Sequence, residues 1–237
     1  MRKLFYPGDA ELAAALTRPS AGNSEIDMKV REILVSVKSG GDAALREYSE
    51  KFDGYADDSL RVEAAEIEQA EREVSPALKK AIRSAASNIG EFHLAGMGAA
   101  GVTETAPGVR CWYRDTPIER IGIYIPGGTA PLFSTVLMLA IPARLAGCRE
   151  IVMCTPPGRD GKINPLILWA AKVAAVNTIF RAGGAQAVAA MAYGTESVPA
   201  VYKIFGPGNR YVTRAKELVQ LEGTAIDMPA GPSELMV

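Results

Sequence analysis

The chain has 237 residues, of which 48% are hydrophobic and 22% are charged, and its formal net charge at pH 7 is -1. These values match an average globular domain and give no electrostatic basis for binding nucleic acid or an anionic membrane surface. No apolar run reaches the roughly 18 residues that a membrane-spanning helix needs. Three cysteines without C-x-x-C spacing predict free thiols, and so a cytoplasmic protein, rather than a disulfide framework or a structural zinc site.

The first part of the chain is predicted to be helical. After an N-terminal arm (1–22), a helix-rich piece covers 23–120. Its first helix, 24–38, ends at Gly40-Gly41, and Asp42 is the expected N-cap of the second. A third helix is predicted over 64–73, and a fourth follows Ser75 as N-cap. The expected apolar faces of the second and fourth helices comprise Ala44, Leu45, Tyr48 and Phe52, and Leu78, Ile82, Ala85, Ile89 and Phe92. Residues 97–108 read as a loop or a short strand connector.

From about residue 119 the pattern changes to short apolar runs separated by helical segments. The predicted strands are 121–125, 151–154, 178–180, 202–205 and 224–228, and the predicted helices are 135–145, 164–173, 187–192 and 210–219. Apolar runs that alternate with helices are typical of parallel strands covered on both faces. Residues 121–237 are therefore predicted to form a doubly wound α/β unit with a mainly parallel sheet.

Candidate ligand-binding residues stand in the glycine- and proline-rich corners that follow these strands. Ligands of open α/β sheets bind beyond the carboxyl ends of the strands, where glycine lets the backbone approach a ligand closely. The polar candidates are Tyr124, Gln186, Asn209 and Ser233. Each also has a structural reading, since Asn209 and Ser233 fit helix caps and Tyr124 fits strand core or a surface that stacks on a planar ring. Gln186 has the weakest structural explanation.

No catalytic set emerges from the residues themselves. His93 is the only histidine, and its place at the end of a helix suits a structural role. Asp227, Glu234 and Glu196 make no convincing metal site with one histidine and scattered cysteines. Cys148 and Cys154 read as small core residues. The residues alone therefore indicate a site for a small, nucleotide-like molecule.

Four long stretches resemble the histidinol dehydrogenase family. They are YIPGGTAPLFSTVLMLAIPARLAGC at 124–148, GGAQAVAAMAYGTESVP at 183–199, KIFGPGNRYVT at 203–213 and AIDMPAGPSE at 225–234. The resemblance extends over essentially the whole chain but covers only the first half of the family's length. It implies oxidation of L-histidinol to L-histidine through histidinal with two NAD, as the last steps of histidine biosynthesis, in a zinc-dependent cytoplasmic homodimer.

The resemblance also implies site residues and a fold. Tyr124, Gln186 and Asn209 would contact NAD, and Ser233 would contact histidinol. The family's zinc ligands and its acid–base Glu-His pair would lie beyond residue 237, so no catalytic or metal-binding residue is assigned to this chain. The implied fold is a Rossmann-like unit over 121–237, preceded by the helix-rich first part of a second, incomplete Rossmann-like unit.

Three hypotheses follow. In the first, the chain is part of a histidinol dehydrogenase and is expected to be inactive alone. In the second, it is a non-catalytic nucleotide-binding or assembly half of a split enzyme. The third, which the residues disfavour, is a thiol enzyme that uses Cys111, Cys148 or Cys154. Neither nucleic acid nor a membrane is expected as a partner.

Overall fold

The computed structural model describes residues 4–17, 24–55, 59–98, 101–128 and 130–229. The chain begins with four helices, α1 (Asp9–Leu16), α2 (Ser24–Asp53), α3 (Ala64–Glu73) and α4 (Pro76–Ala95). α2 is kinked at Gly41, whose φ of 55° and ψ of -137° are not helical. The two helices predicted on either side of Gly40-Gly41 are therefore the two halves of α2. Ser75 caps α4 as predicted, because its side chain accepts a hydrogen bond from the Leu78 amide.

Asp42, just after this kink, does not act as the cap that the sequence predicts. Its carboxylate accepts a hydrogen bond from the Ser197 amide at 3.3 Å, and its own amide donates to Glu196 Oε2 at 2.7 Å. A Cβ at Gly41 would overlap the same Glu196 carboxylate. Asp42 and Glu196 thus tie the kink of α2 to the turn at 195–197, which is a tertiary contact that local sequence does not reveal.

Residues 97–108, predicted as a loop or short strand connector, contribute to a hairpin. β1 (Val102–Ala106) pairs antiparallel with β2 (Val109–Trp112), and every residue of both strands is exposed. Phe52, Leu78 and Phe92 are also exposed, by 54%, 42% and 77%, although the sequence places all three on apolar helix faces. The predicted burial of these three side chains is wrong for the described part of the chain.

A five-stranded sheet forms the centre of the structure. Its strands are β3 (Arg120–Tyr124), β4 (Glu150–Thr155), β5 (Thr178–Arg181), β6 (Lys203–Phe205) and β7 (Ala225–Ile226), arranged in the order β5-β4-β3-β6-β7. All neighbouring pairs are parallel. The strand order reverses between β3 and β6, as at the ligand-binding switch point of doubly wound folds. The predicted fold class is confirmed.

Helices cover both faces of this sheet. The connecting helices are α5 (Phe133–Leu145), α6 (Pro165–Val173), α7 (Gly184–Tyr193) and α8 (Arg210–Leu221). α3 and α4 pack with α5 and α6, whereas α2 packs against α7 and α8. Each layer has its own cluster of buried apolar side chains. This explains why the central residues of the strands are consecutively apolar rather than alternating. The division at 1–22, 23–120 and 121–237 stays a prediction.

Arg181 attaches the segment that follows α2 to the edge of the sheet. Its amide donates to the Leu60 carbonyl at 2.7 Å, and its buried guanidinium donates to the Arg61 carbonyl at 2.7 Å and pairs with Glu66. Arg61 forms an isolated antiparallel bridge with Phe180. This attachment holds the chain after α2 beside the carboxyl end of β5.

No described helix is long and apolar enough to cross a membrane.

Candidate functional site

A cavity of about 1130 Å³ opens at the carboxyl edge of the sheet, beside the switch point. Its walls come from the corners after β3, β4, β5 and β6 and from one face of α2. The three residues predicted to contact NAD, Tyr124, Gln186 and Asn209, all line it. They stand 62 and 23 residues apart in sequence, by subtraction of their numbers. The fold therefore brings together the polar side chains that the sequence singled out separately.

Tyr124 is the last residue of β3 and is only 4% exposed. Its hydroxyl accepts a hydrogen bond from the Gly184 amide at 3.0 Å. Burial raises the pKa of this phenol to about 12, so the hydroxyl keeps its proton at neutral pH. The ring belongs to the buried cluster beneath α7 and α8. This favours the strand-core reading over a stacking surface and leaves the hydroxyl as the group available to a ligand.

Gln186 lies in the first turn of α7 and is 1% exposed. Its Nε2 has no hydrogen-bond partner among the described residues. Gly184, two residues earlier, has φ of +61°, and a Cβ there would lie 2.5 Å from Gln186 Oε1. Glycine is thus required for both its backbone angle and its lack of a side chain. A buried amide without a partner is costly, and so Gln186 is the strongest indication that a polar ligand binds at this edge.

Asn209 is the N-cap of α8. Its Oδ1 accepts hydrogen bonds from the amides of Tyr211 and Val212, at 2.9 and 3.1 Å. The structural reading of this residue is therefore confirmed. Its Nδ2 lies on the same side chain that lines the cavity, so capping leaves a donor for a ligand.

Asp53 is a site residue that the sequence analysis missed. It ends α2, lines the cavity and has a buried Oδ2 with no hydrogen-bond partner in the described chain. Burial raises the pKa of this carboxyl to about 6. Lys29, Lys51 and Arg159 line the same cavity. An aspartate at a helix end is not distinctive in a sequence, and no signal there could have pointed to it.

The remaining candidates fall into two groups. Ser233 and Glu234 lie outside the described residues. Asp227 accepts a hydrogen bond from the Gly206 amide at 2.8 Å and pairs with the buried Lys216, whose Nζ also donates to the Gly206 carbonyl at 2.9 Å. Asp227 therefore holds the corner after β6 against the end of β7.

A second cavity, of about 760 Å³, lies across the Gly127 and Pro156 corners and faces α3.

Two of the three cysteines in the described chain are poorly suited to act as nucleophiles. Within the described ranges between residues 4 and 229, no group of three or more His, Cys, Asp and Glu could hold a metal ion. All three cysteines are free. Burial raises the pKa of the Cys154 thiol to about 12 and also raises that of Cys148. Because the thiolate is the nucleophilic form, these two shifts argue against the thiol-enzyme hypothesis.

Comparisons with known proteins settle the family. The family model of histidinol dehydrogenase matches residues 16–237. The chain belongs to the histidinol dehydrogenase family. A histidinol dehydrogenase of Bacteroides fragilis is 55% identical over 237 residues, which are 100% of this chain and 55% of that relative. One from Xanthomonas euvesicatoria pv. vesicatoria is 52% identical over 225 residues, or 94% of this chain and 52% of the relative.

The fold agrees with a solved member of the family. The crystal structure of histidinol dehydrogenase from Elizabethkingia anophelis superposes with a TM-score of 0.90 at 48% identity, over 96% of this chain and 52% of that one. The chain therefore spans about half the length of the relatives that it matches. The family are oxidoreductases of histidine biosynthesis, and the α/β architecture described above is consistent with a Rossmann-like unit.

Proposed function

We propose that this chain forms the NAD-binding part of a cytoplasmic histidinol dehydrogenase, which oxidises L-histidinol to L-histidine through histidinal with two NAD. The cavity at the switch point carries the proposal, because it gathers Tyr124, Gln186 and Asn209 and contains a buried amide nitrogen, Gln186 Nε2, without a partner among the described residues. Family membership supports the reaction. The homodimer implied by the resemblance is part of the same proposal.

The three side chains bind and orient the dinucleotide in this proposal. Tyr124 holds the first amide of α7 and offers its own proton, while Gln186 Nε2 and Asn209 Nδ2 donate to oxygen atoms of the ligand. NAD supplies the hydride acceptor. The neutral phenol, with a pKa of about 12, acts as a hydrogen-bond donor and not as a base.

The described residues do not fit the zinc that the family implies, since they contain no cluster of three or more ligating side chains. We propose that the zinc ligands and the acid–base pair belong to the part of the relatives that this chain does not span. In this division, the residues of the cavity hold the cofactor and the other part supplies the proton transfers. Ser233 stays a proposed substrate contact.

Calorimetric titration of the chain with NAD tests the cofactor assignment. Saturable binding that weakens at least tenfold in Gln186→Ala is expected, with Gln220→Ala as the matched control on an exposed surface of α8. A well-folded chain that does not bind NAD would contradict the proposal. Co-expression with the remaining segment of a relative tests whether the catalytic groups lie outside this chain. Activity that returns only in that complex supports this division of roles, and histidinol oxidation by the chain alone would contradict it.

A further inference from the structure

The Asp53 carboxylate lies where the sheet-edge cavity approaches the ends of β4 and β5. A Cβ at Gly183, directly after β5, would be 3.3 Å from each oxygen of this carboxylate and 2.7 Å from Pro156 Cβ. Pro156 directly follows β4. Asp53 therefore stands over the second and third strands of the doubly wound unit, on the far side of β3 from β6.

In dinucleotide-binding folds of this kind, an acidic residue about 20 residues after the glycine-rich turn bonds the 2′-hydroxyl of a ribose. Counted from the Gly127-Gly128 turn after β3, the carboxylate nearest to this spacing belongs to Glu150. Glu150 lies at the other end of β4, where it pairs with Arg120. Pro156 and Pro157, which follow β4, provide no acceptor side chain. Asp53 reaches the corresponding place from α2, which precedes the unit in sequence.

Two buried polar atoms of this cavity have no hydrogen-bond partner within the described ranges, namely Asp53 Oδ2 and Gln186 Nε2. One is an acceptor and the other a donor, and both flank the Gly183-Gly184 turn. A carboxylate accepts hydrogen bonds from hydroxyl groups and repels a phosphate at short range. The pair thus suits a neutral, hydroxyl-bearing part of a nucleotide.

We propose that Asp53 accepts a hydrogen bond from the 2′-hydroxyl of the adenosine ribose of NAD, and that its charge discriminates against NADP. This inference rests on the proposed NAD site, and it names the residue that selects between the two cofactors. Asp53 acts by direct contact with the cofactor and takes no part in proton transfer.

Titration of the 237-residue chain with NAD and NADP tests this assignment. We expect the wild-type chain to bind NAD at least about tenfold more tightly than NADP. In Asp53→Asn this affinity ratio should fall about tenfold, because NAD loses a hydrogen bond to a charged group and the 2′-phosphate of NADP is no longer repelled. Glu47→Gln is the matched control. It removes the same charge from an exposed residue of the same helix that does not line the cavity, and it should leave the NAD to NADP ratio unchanged.

Each outcome bears on the proposal. Asp53→Asn with an unchanged ratio would overturn the role of Asp53 while leaving the NAD site intact, and so would equal changes in both variants. A loss of NAD affinity without a change in the ratio would overturn the adenosine assignment. Absence of NAD binding to the folded wild-type chain would overturn both this inference and the proposed cofactor site. Circular dichroism confirms that each variant is folded.

Discussion

Tyr124 and Gly184 are joined by a hydrogen bond of 3.0 Å from the Gly184 amide to the Tyr124 hydroxyl. Tyr124 ends β3 and Gly184 begins α7, so this bond fixes the start of the helix that carries Gln186 relative to the central strand. α7 has no side-chain cap in the described structure. The phenol thus satisfies one of the amides that a helix leaves unpaired at its N-terminus.

Tyr124→Phe should therefore weaken both the fold and the site. The Gly184 amide loses its partner, which should lower the free energy of unfolding by about 1 kcal/mol. We expect NAD affinity to fall as well, since the first turn of α7, which carries Gln186, is no longer fixed to the end of β3. Urea unfolding and NAD titration measure the two effects. Tyr113→Phe, at an exposed ring, is the control, and an equal loss in both variants would contradict this role for Tyr124.

Gln186→Met should separate stability from binding. Methionine has a similar length and removes a buried amide whose Nε2 has no partner in the described chain. We expect the free energy of unfolding to stay level or to rise by about 1 kcal/mol, while NAD affinity falls at least tenfold. Thermal unfolding and calorimetry provide the two readouts. A stability loss of several kcal/mol would show that the amide has a structural partner and would argue against its role in binding.

Asn209 combines a cap with a proposed ligand contact, and two substitutions distinguish these roles. Asn209→Ala removes both, and should cost about 1 kcal/mol of stability as well as NAD affinity. Asn209→Ser keeps an oxygen that can cap α8 but removes the Nδ2 donor. Its stability should therefore remain close to wild type while its NAD affinity falls as far as that of the alanine variant. Wild-type affinity in the serine variant would assign Asn209 to capping alone.

Asp53 should make stability depend on pH. Its pKa is raised from 3.8 to about 6 in the folded chain, chiefly because burial disfavours the carboxylate. A raised folded pKa means that its stabilising contribution is complete below pH 3.8 and is lost as the pH rises through 6. Asp53→Asn should therefore stabilise the chain by about 1–2 kcal/mol at about pH 7.5, after allowance for partial exposure, and have little effect near about pH 4.

Urea unfolding of this variant at both pH values provides the measurement. Other charged groups around the cavity, Lys29, Glu32, Lys51 and Arg159, and the Tyr124 phenol are present in both proteins, so the difference isolates Asp53. Glu47→Gln, an exposed residue of α2 outside the cavity, is the control for the loss of one negative charge. A variant that is destabilised at the higher pH would mean that Asp53 is stabilised as a carboxylate in the folded chain.

Local patterns in the sequence were sufficient for the sheet and for three cavity residues. Apolar runs bounded by glycine and proline predicted all five parallel strands, because strands covered on both faces have no polar side to interrupt them. The corners after the strands then predicted Tyr124, Gln186 and Asn209, since the carboxyl ends of parallel strands share one edge. The kink of α2 at Gly41 was predicted as a helix end, because glycine commonly terminates helices.

Features that depend on distant partners were not predictable. Asp42 fits a cap in sequence, yet it bonds Ser197, which is 155 residues away. Asp53 has no distinctive neighbours along the chain, and only the packing of α2 against α7 carries it to the Gly183-Gly184 turn. The exposure of Phe92 could not be predicted either, because periodicity shows which side chains share a helix face but not how far a neighbouring element covers that face.

The sequence by itself determined the alternation of strands and helices from about residue 119 onward, the family and the residue types at the edge of the sheet, because these follow from short-range periodicity and from motifs that are contiguous in the chain. Only the tertiary structure decided which of the described polar atoms are buried without partners and that a carboxylate from α2 joins them. Burial and hydrogen-bond pairing are properties of the packed layers, and they arise when segments far apart in sequence exclude water from the same space.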